Sequence, residues 1–127
     1  MVIEPRASVQ DVFRAELKKA GYRVLLTGDP LRAVERLRKE PQLVACALFN
    51  AQELGQSALA AFNQLADEQE TKSLPAVLLL RAQQQSWTAH ARTSDRRVVL
   101  LMPLKMSRLC EMLSKLIPAV QSVKSGG

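Results

Sequence analysis

Histidine, cysteine and aromatic residues are scarce in this chain, and each scarcity removes a class of function. His90 is the only histidine. No constellation of catalytic or metal-binding residue types is indicated around it, so neither a nucleophilic triad nor a metal centre is read, and His90 reads as a surface residue. The two cysteines, Cys46 and Cys110, have apolar neighbours and no CxxC partner. They exclude a disulfide framework and read as reduced, buried thiols. Aromatics make up 4% of the 127 residues, and only Trp87 falls in the last third. That is too few for a platform on which nucleic-acid bases stack.

Other absences narrow the field further. No GxGxxG or GxxxxGK[ST] motif occurs, so a glycine-rich phosphate cradle is not supported. No apolar run approaches the ~20 residues of a membrane-spanning helix. Met1-Val2-Ile3-Glu4-Pro5-Arg6 lacks the basic and then apolar pattern of a signal peptide, so a cytoplasmic location is expected. Acidic residues are rare late in the chain. Residues 81–127 hold eight basic residues against Asp95 and Glu111, so the whole formal charge of +6 lies there.

What remains has the make-up of an ordinary globular domain, with 47% hydrophobic and 24% charged residues. One domain is expected over 1–119, followed by a loose tail over 120–127. Its elements alternate. Val2-Ile3 is a short strand stub. Val9, Val12, Phe13 and Leu17 recur at helical spacing, with Ser8 as the expected cap and Gly21 as the stop. A second strand runs from Tyr22 to Thr27. Asp29-Pro30 opens a helix whose stripe is Ala33, Val34 and Leu37. Strand three is Leu43 to Phe49, and the loop Asn50 to Gly55 follows. Ala58, Leu59, Phe62 and Leu65 line the next helix. Strand four is Ala76 to Leu80, and Ala82 to Thr93 is a weak, polar helix. Strand five is Arg97 to Leu101. Leu109, Met112, Leu113 and Leu116 line the last helix, about Ser107 to Ile117, which Pro118 ends.

Five alternating βα units predict an α/β fold, a doubly wound five-stranded parallel sheet, (βα)5, of flavodoxin-like type. Strand order 2-1-3-4-5 is the usual solution, and it puts a site at the carboxyl ends of the strands.

The spacing resembles that of bacterial response-regulator receiver domains from residue 2 to 117. Glu4 through Gly21-Tyr22 resembles the family's acidic pair, helix and Ala-Gly-Tyr. Pro41-Gln42-Leu43-Val44 is similar to the opening of the phosphorylated strand. Gly55 lies eight residues after Ala47, Leu74-Pro75 precedes strand four, and Met102-Pro103 stands where the family has Lys-Pro. The resemblance implies five active positions: two acids after strand one, an acceptor aspartate, a Thr or Ser, and a lysine. Here they fall on Glu4, Pro5, Ala47, Leu80 and Met102. Four of them carry side chains without the oxygen or charge that phosphoryl transfer needs.

The expected outcome is a degenerate receiver, with the site filled as an apolar plug. It would bind no Mg²⁺ or other cofactor and act as no enzyme. Leu80 and Val99 also lack the hydroxyl and the ring that move together in a phosphorylated receiver, so a static module is expected rather than a switch. The resemblance places the output face on the segment Ala82–Thr93, strand five and the last helix. There Trp87, His90, Arg92, Arg96, Arg97, Lys105 and Arg108 form a candidate basic surface. Its partner would be an acidic protein or a second copy. Direct nucleic-acid binding through the same face is the alternative, and it would be led by phosphate contacts.

Overall fold

The structure, a computed structural model, describes residues 1–117. The expected break at Pro118 and the tail over 120–127 lie outside the described residues. Five parallel strands form one sheet in the order β2-β1-β3-β4-β5, as expected. The strands are β1 (Val2–Ile3), β2 (Leu26–Thr27), β3 (Ala47–Asn50), β4 (Ala76–Arg81) and β5 (Arg97–Met102). The helices are α1 (Ala7–Lys19), α2 (Pro30–Lys39), α3 (Ala51–Leu54), α4 (Gln56–Asp67) and α5 (Met106–Leu116). A 3-10 helix covers Ala82–His90.

Alternation along the strands builds two core layers. Ile3, Phe49, Leu78 and Leu80 face α2 and α4, where Val34, Leu37, Phe62 and Leu65 meet them. Val2, Leu48, Val77 and Leu79 face α1 and α5, against Phe13, Leu17, Leu109 and Leu113. Both faces of the sheet are therefore covered, which is why its strands are apolar without a polar side.

Helix ends follow local chemistry. The Asp29 carboxylate accepts from the amides of Leu31 and Arg32, and Pro30 occupies the first turn of α2. Gly21 takes φ +95° after α1, so its amide reaches Lys18 O and that of Tyr22 reaches Leu17 O. The expected cap at Ser8 is not used. α1 starts at Ala7, with Arg6 as its cap residue. Val12 points outward and is exposed, so the buried stripe of α1 is Phe13 and Leu17.

Two strands are shorter than expected. β2 begins at Leu26 rather than Tyr22, and β3 at Ala47 rather than Leu43. β1 lies between them and has only two residues, so it pairs only Leu26–Thr27 and Leu48–Phe49. The polar segment 67–73 is pinned by Thr71, whose buried hydroxyl donates to Leu65 O at 2.8 Å. Cys46 and Cys110 are half-buried. Burial pushes the Cys46 thiol up to about 11, so little of it is thiolate at neutral pH.

Arg97 is the largest departure from expectation. It was expected on a docking surface, and it is buried at 4% exposure. Its guanidinium stacks 4.1 Å over the Phe62 ring. Nε donates to Arg92 O at 2.9 Å, and Nη2 donates to Phe62 O. Nη1 has no hydrogen-bond partner among the described residues. Burial draws this side chain down to about 10, with Asp67 opposing. Arg97 thus closes the gap between the start of β5 and α4. Arg97→Ala is expected to lose about 2–4 kcal/mol in urea unfolding, from the cavity and the lost contacts. A loss below ~0.5 kcal/mol would mark it as a free surface residue.

Candidate functional site

The carboxyl ends of β1 and β3 meet at one buried carboxylate. Ile3 is level with Phe49, so the next residues, Glu4 and Asn50, face each other at the ends of their strands. Glu4 is fully buried and Asn50 is 1% exposed. Glu4 Oε1 accepts from Asn50 Nδ2 at 2.6 Å and from Arg6 Nη2 at 3.2 Å. Glu4 Oε2 accepts from the Arg6 amide at 2.8 Å and from Arg6 Nε at 3.2 Å. A carboxylate offers about four acceptor positions, and here all are taken.

The network continues outward. Asn50 Oδ1 accepts from the amide of Gln52 at 3.2 Å and from Gln52 Nε2 at 3.0 Å. The orientation of the Asn50 amide is fixed by this chemistry, because Glu4 only accepts and the Gln52 amide only donates. Arg6 Nη1 reaches Glu53 Oε1 at 3.3 Å. Gln10 Nε2 donates to Glu4 O at 2.6 Å. Gln84, buried in the first turn of the 3-10 helix, donates to Ala51 O at 3.0 Å and accepts from the Arg81 amide at 3.0 Å. The Arg81 guanidinium donates to Gln52 O. Hydrogen bonding to Glu4 holds the Arg6 guanidinium above its ordinary range, with Glu53 adding to the effect.

The expected apolar plug is therefore corrected: the crown of the sheet carries a closed polar network. Of the five expected positions, only Glu4 is inside it. Pro5 is exposed beside it. Ala47 is the first residue of β3, level with Ala76, three residues and roughly 10 Å below the strand's end. Leu80 is buried in the core. Met102 is half-buried at the end of β5, joined to Pro103 by a cis peptide. Arg6, Asn50 and Gln84 were missed. Asn50 carried a usable signal, as the first polar residue after the apolar run, but the eight-residue spacing to Gly55 drew the reading to Ala47.

The expected basic surface is also divided. Arg92, Arg96 and Arg97 lie before or at the start of β5, whereas Lys105 and Arg108 follow its end, roughly 20 Å away along the strand. Arg92 pairs with Asp67 at 2.5 Å, and Arg108 with Glu111 at 3.3 Å. Arg96 reaches Ser73 O at 3.4 Å. Trp87 is half-buried and packs on the α2–α4 core layer. His90 is exposed, and its carbonyl accepts from Asn63 Nδ2.

A parallel sheet in this order, covered by helices on both faces, with acid and amide meeting at the ends of β1 and β3, has the fold of receiver domains. The receiver domain of a sensor histidine kinase from Pseudomonas aeruginosa PAO1 matches with TM-score 0.76 and 22% identity, over 92% of this chain and 94% of that one. That domain is described with a magnesium ion coordinated in its active-site cleft. A response-regulator receiver domain from Clostridium thermocellum matches with TM-score 0.77 and 11% identity, over 96% and 95%. A receiver domain of a histidine kinase from Syntrophus aciditrophicus matches with TM-score 0.77 and 14% identity, over 94% and 89%. The likeness is one of fold, since under a quarter of the residues are shared. No family model matches the chain, and no curated protein is similar to it in sequence.

Among the described residues no helix is long and apolar enough to cross a membrane.

The Glu4–Asn50 contact yields a sharp test. Asn50→Asp keeps the shape but sets two carboxylates oxygen to oxygen. It is expected to cost about 2–4 kcal/mol at pH 7 in urea unfolding. The crowded pair binds a proton more tightly folded than unfolded, so the penalty is present at neutral pH and shrinks as pH falls toward 5. A penalty that does not change with pH would contradict the contact.

Proposed function

We propose that this chain is a receiver-fold signalling module of two-component type that binds a protein partner without phosphoryl transfer or Mg²⁺. The observation that carries this reading is the amide of Asn50 at the end of β3, donating to a saturated Glu4 carboxylate. An amide nitrogen in that state offers no lone pair for attack on phosphorus, and the Ala47 methyl offers none either.

The residues also fit Mg²⁺ poorly. That ion wants near-octahedral oxygen ligands and several carboxylates or waters. Glu4 has no free acceptor position, Pro5 supplies no side-chain oxygen, and Asn50 Oδ1 is taken by Gln52. The charge set against Glu4 is the cationic Arg6, which repels a second cation. Phosphoryl transfer needs charge stabilisation around the moving group, and Leu80 and Met102 supply none.

A binding role is supported by what stays exposed beside β5, the edge strand of the sheet. Leu101 is 39% exposed, and Lys105, the cap residue of α5, and Arg108, in its first turn, follow β5 in the chain and are exposed. An apolar contact flanked by cations suits an acidic protein surface. Nucleic acid is less well served, because Arg97 is buried and Arg92 is paired with Asp67.

Incubation with acetyl phosphate and Mg²⁺, followed by intact-mass measurement, tests the reading. The mass is expected to stay unchanged. A stoichiometric, acid-labile phosphoryl adduct would overturn it.

A further inference from the structure

β5 is an edge strand, and its pairing with β4 leaves one side of its backbone open. Arg97 is level with Ala76, and the Ala76 amide donates to Arg96 O at 3.0 Å. In a parallel ladder of that phase, Val98, Leu100 and Met102 turn their backbone groups toward β4, while Arg97, Val99 and Leu101 turn theirs outward. Arg97 bears this out on the outer side. Its carbonyl accepts from the Ser94 amide at 2.9 Å, and its own amide donates to Ser94 O at 3.3 Å. Past that bridge the edge is open: the amides and carbonyls of Val99 and Leu101 make no hydrogen bond among the described residues. Native edges are commonly blunted by a lysine, a proline or a bulge. Here Val98, Val99, Leu100, Leu101 and Met102 are all apolar, and none is fully buried. Val99 packs on the α2–α4 layer, whereas Val98, Leu100 and Met102 pack on the α1–α5 layer. An added strand would therefore meet apolar side chains on both of its faces.

Resting on the partner-binding reading above, we propose that this edge takes an extended segment of an acidic protein as a sixth strand. Its side chains alternate between the two apolar layers, and its carboxylates lie where it passes Lys105. Charge decides the occupant. From Arg92 to Arg108, Asp95 is the only acid against five basic residues. Lys105 is exposed and makes no ion pair among the described residues, and the Arg96 guanidinium meets only Ser73 O. A second copy is less suited. Antiparallel pairing centred on Leu100 would set Lys105 of each copy toward Asp95 and Arg96 of the other, where attraction and repulsion cancel, and each copy carries +6. An acidic segment meets no such conflict.

The probe is a blocked peptide of alternating valine and threonine, flanked at each end by two glutamates. Its twin carries lysines in place of the glutamates. Titration of the glutamate peptide into the full-length chain is expected to slow amide exchange at Val99 and Leu101. It is expected to bind about tenfold tighter than the twin, the effect of exchanging attraction for repulsion at a few exposed charges. Leu101→Pro removes an outward amide without touching the β4 ladder, and is expected to weaken binding about fivefold, the worth of one hydrogen bond. Lys105→Glu is expected to erase the preference between the peptides, and circular dichroism checks that both variants are folded. Unchanged exchange at Val99 and Leu101, or equal affinity for the two peptides, would overturn the proposal. A dimer of the free chain that Leu101→Pro dissolves would also overturn it, by giving the edge to a second copy. A phosphoryl adduct on a chain that still binds the peptide would sink the phosphorylation-independent reading alone, and an unchanged mass without peptide binding would sink the edge assignment alone.

Discussion

The carboxyl end of this sheet depends on one buried negative charge and the donors that hold it. A carboxylate withdrawn from water costs several kcal/mol unless paired and hydrogen-bonded. Glu4 is satisfied by a guanidinium two residues along its own chain and by an amide on the neighbouring strand. The first contact fixes the turn between β1 and α1. The second fixes β1 against β3, where the two strands share only two paired positions. A short central strand gains its alignment from this contact as well as from its ladder.

The same network fastens the loops above the sheet. Asn50 caps α3 through the Gln52 amide, and Gln84 ties α3 to the start of the 3-10 helix. Gly55, at φ +63°, then turns the chain into α4. Glu4, Arg6, Asn50, Gln52 and Gln84 are therefore each engaged by another part of the crown. A switch requires an input that binds one arrangement better than another. Here Leu80 is locked in the core, and Val99 packs against the same layer without a ring to reorient. A surface held in one shape is what the proposed docking role requires.

Much of the fold was legible in the chain. Asp29-Pro30 and the Ala33, Val34, Leu37 stripe gave α2 almost to the residue, because capping and amphipathic spacing are local. The alternation of elements gave the strand order. Registry was not local and was misread. The apolar run from Leu43 looked like a strand throughout, yet only Ala47 onward finds partners, since β1 is too short to pair with the rest. The strand ends at Asn50, one residue past the expected Phe49, and Ala47, the expected acceptor position, stands at its start, so the polar centre lies at Asn50 instead. Arg97 was misread for a related reason. Arginine at a strand start is usually solvated, and only the position of the Phe62 ring and two carbonyls makes burial tolerable. Arg6, to which no role is assigned from the sequence, is the counter-ion of the buried acid.

The contact between Glu4 and Arg6 is open to direct measurement by a double-mutant cycle. Urea unfolding of the wild type, Glu4→Gln, Arg6→Ala and the double variant isolates their coupling. The Arg6 side chain is 41% exposed, so solvent screening puts the coupling between that of a surface pair and a buried one, about 1–3 kcal/mol. Coupling in that range is the expected result. Additive losses, with no coupling beyond error, would show that the carboxylate does not rely on Arg6 and would remove the basis for a self-contained site.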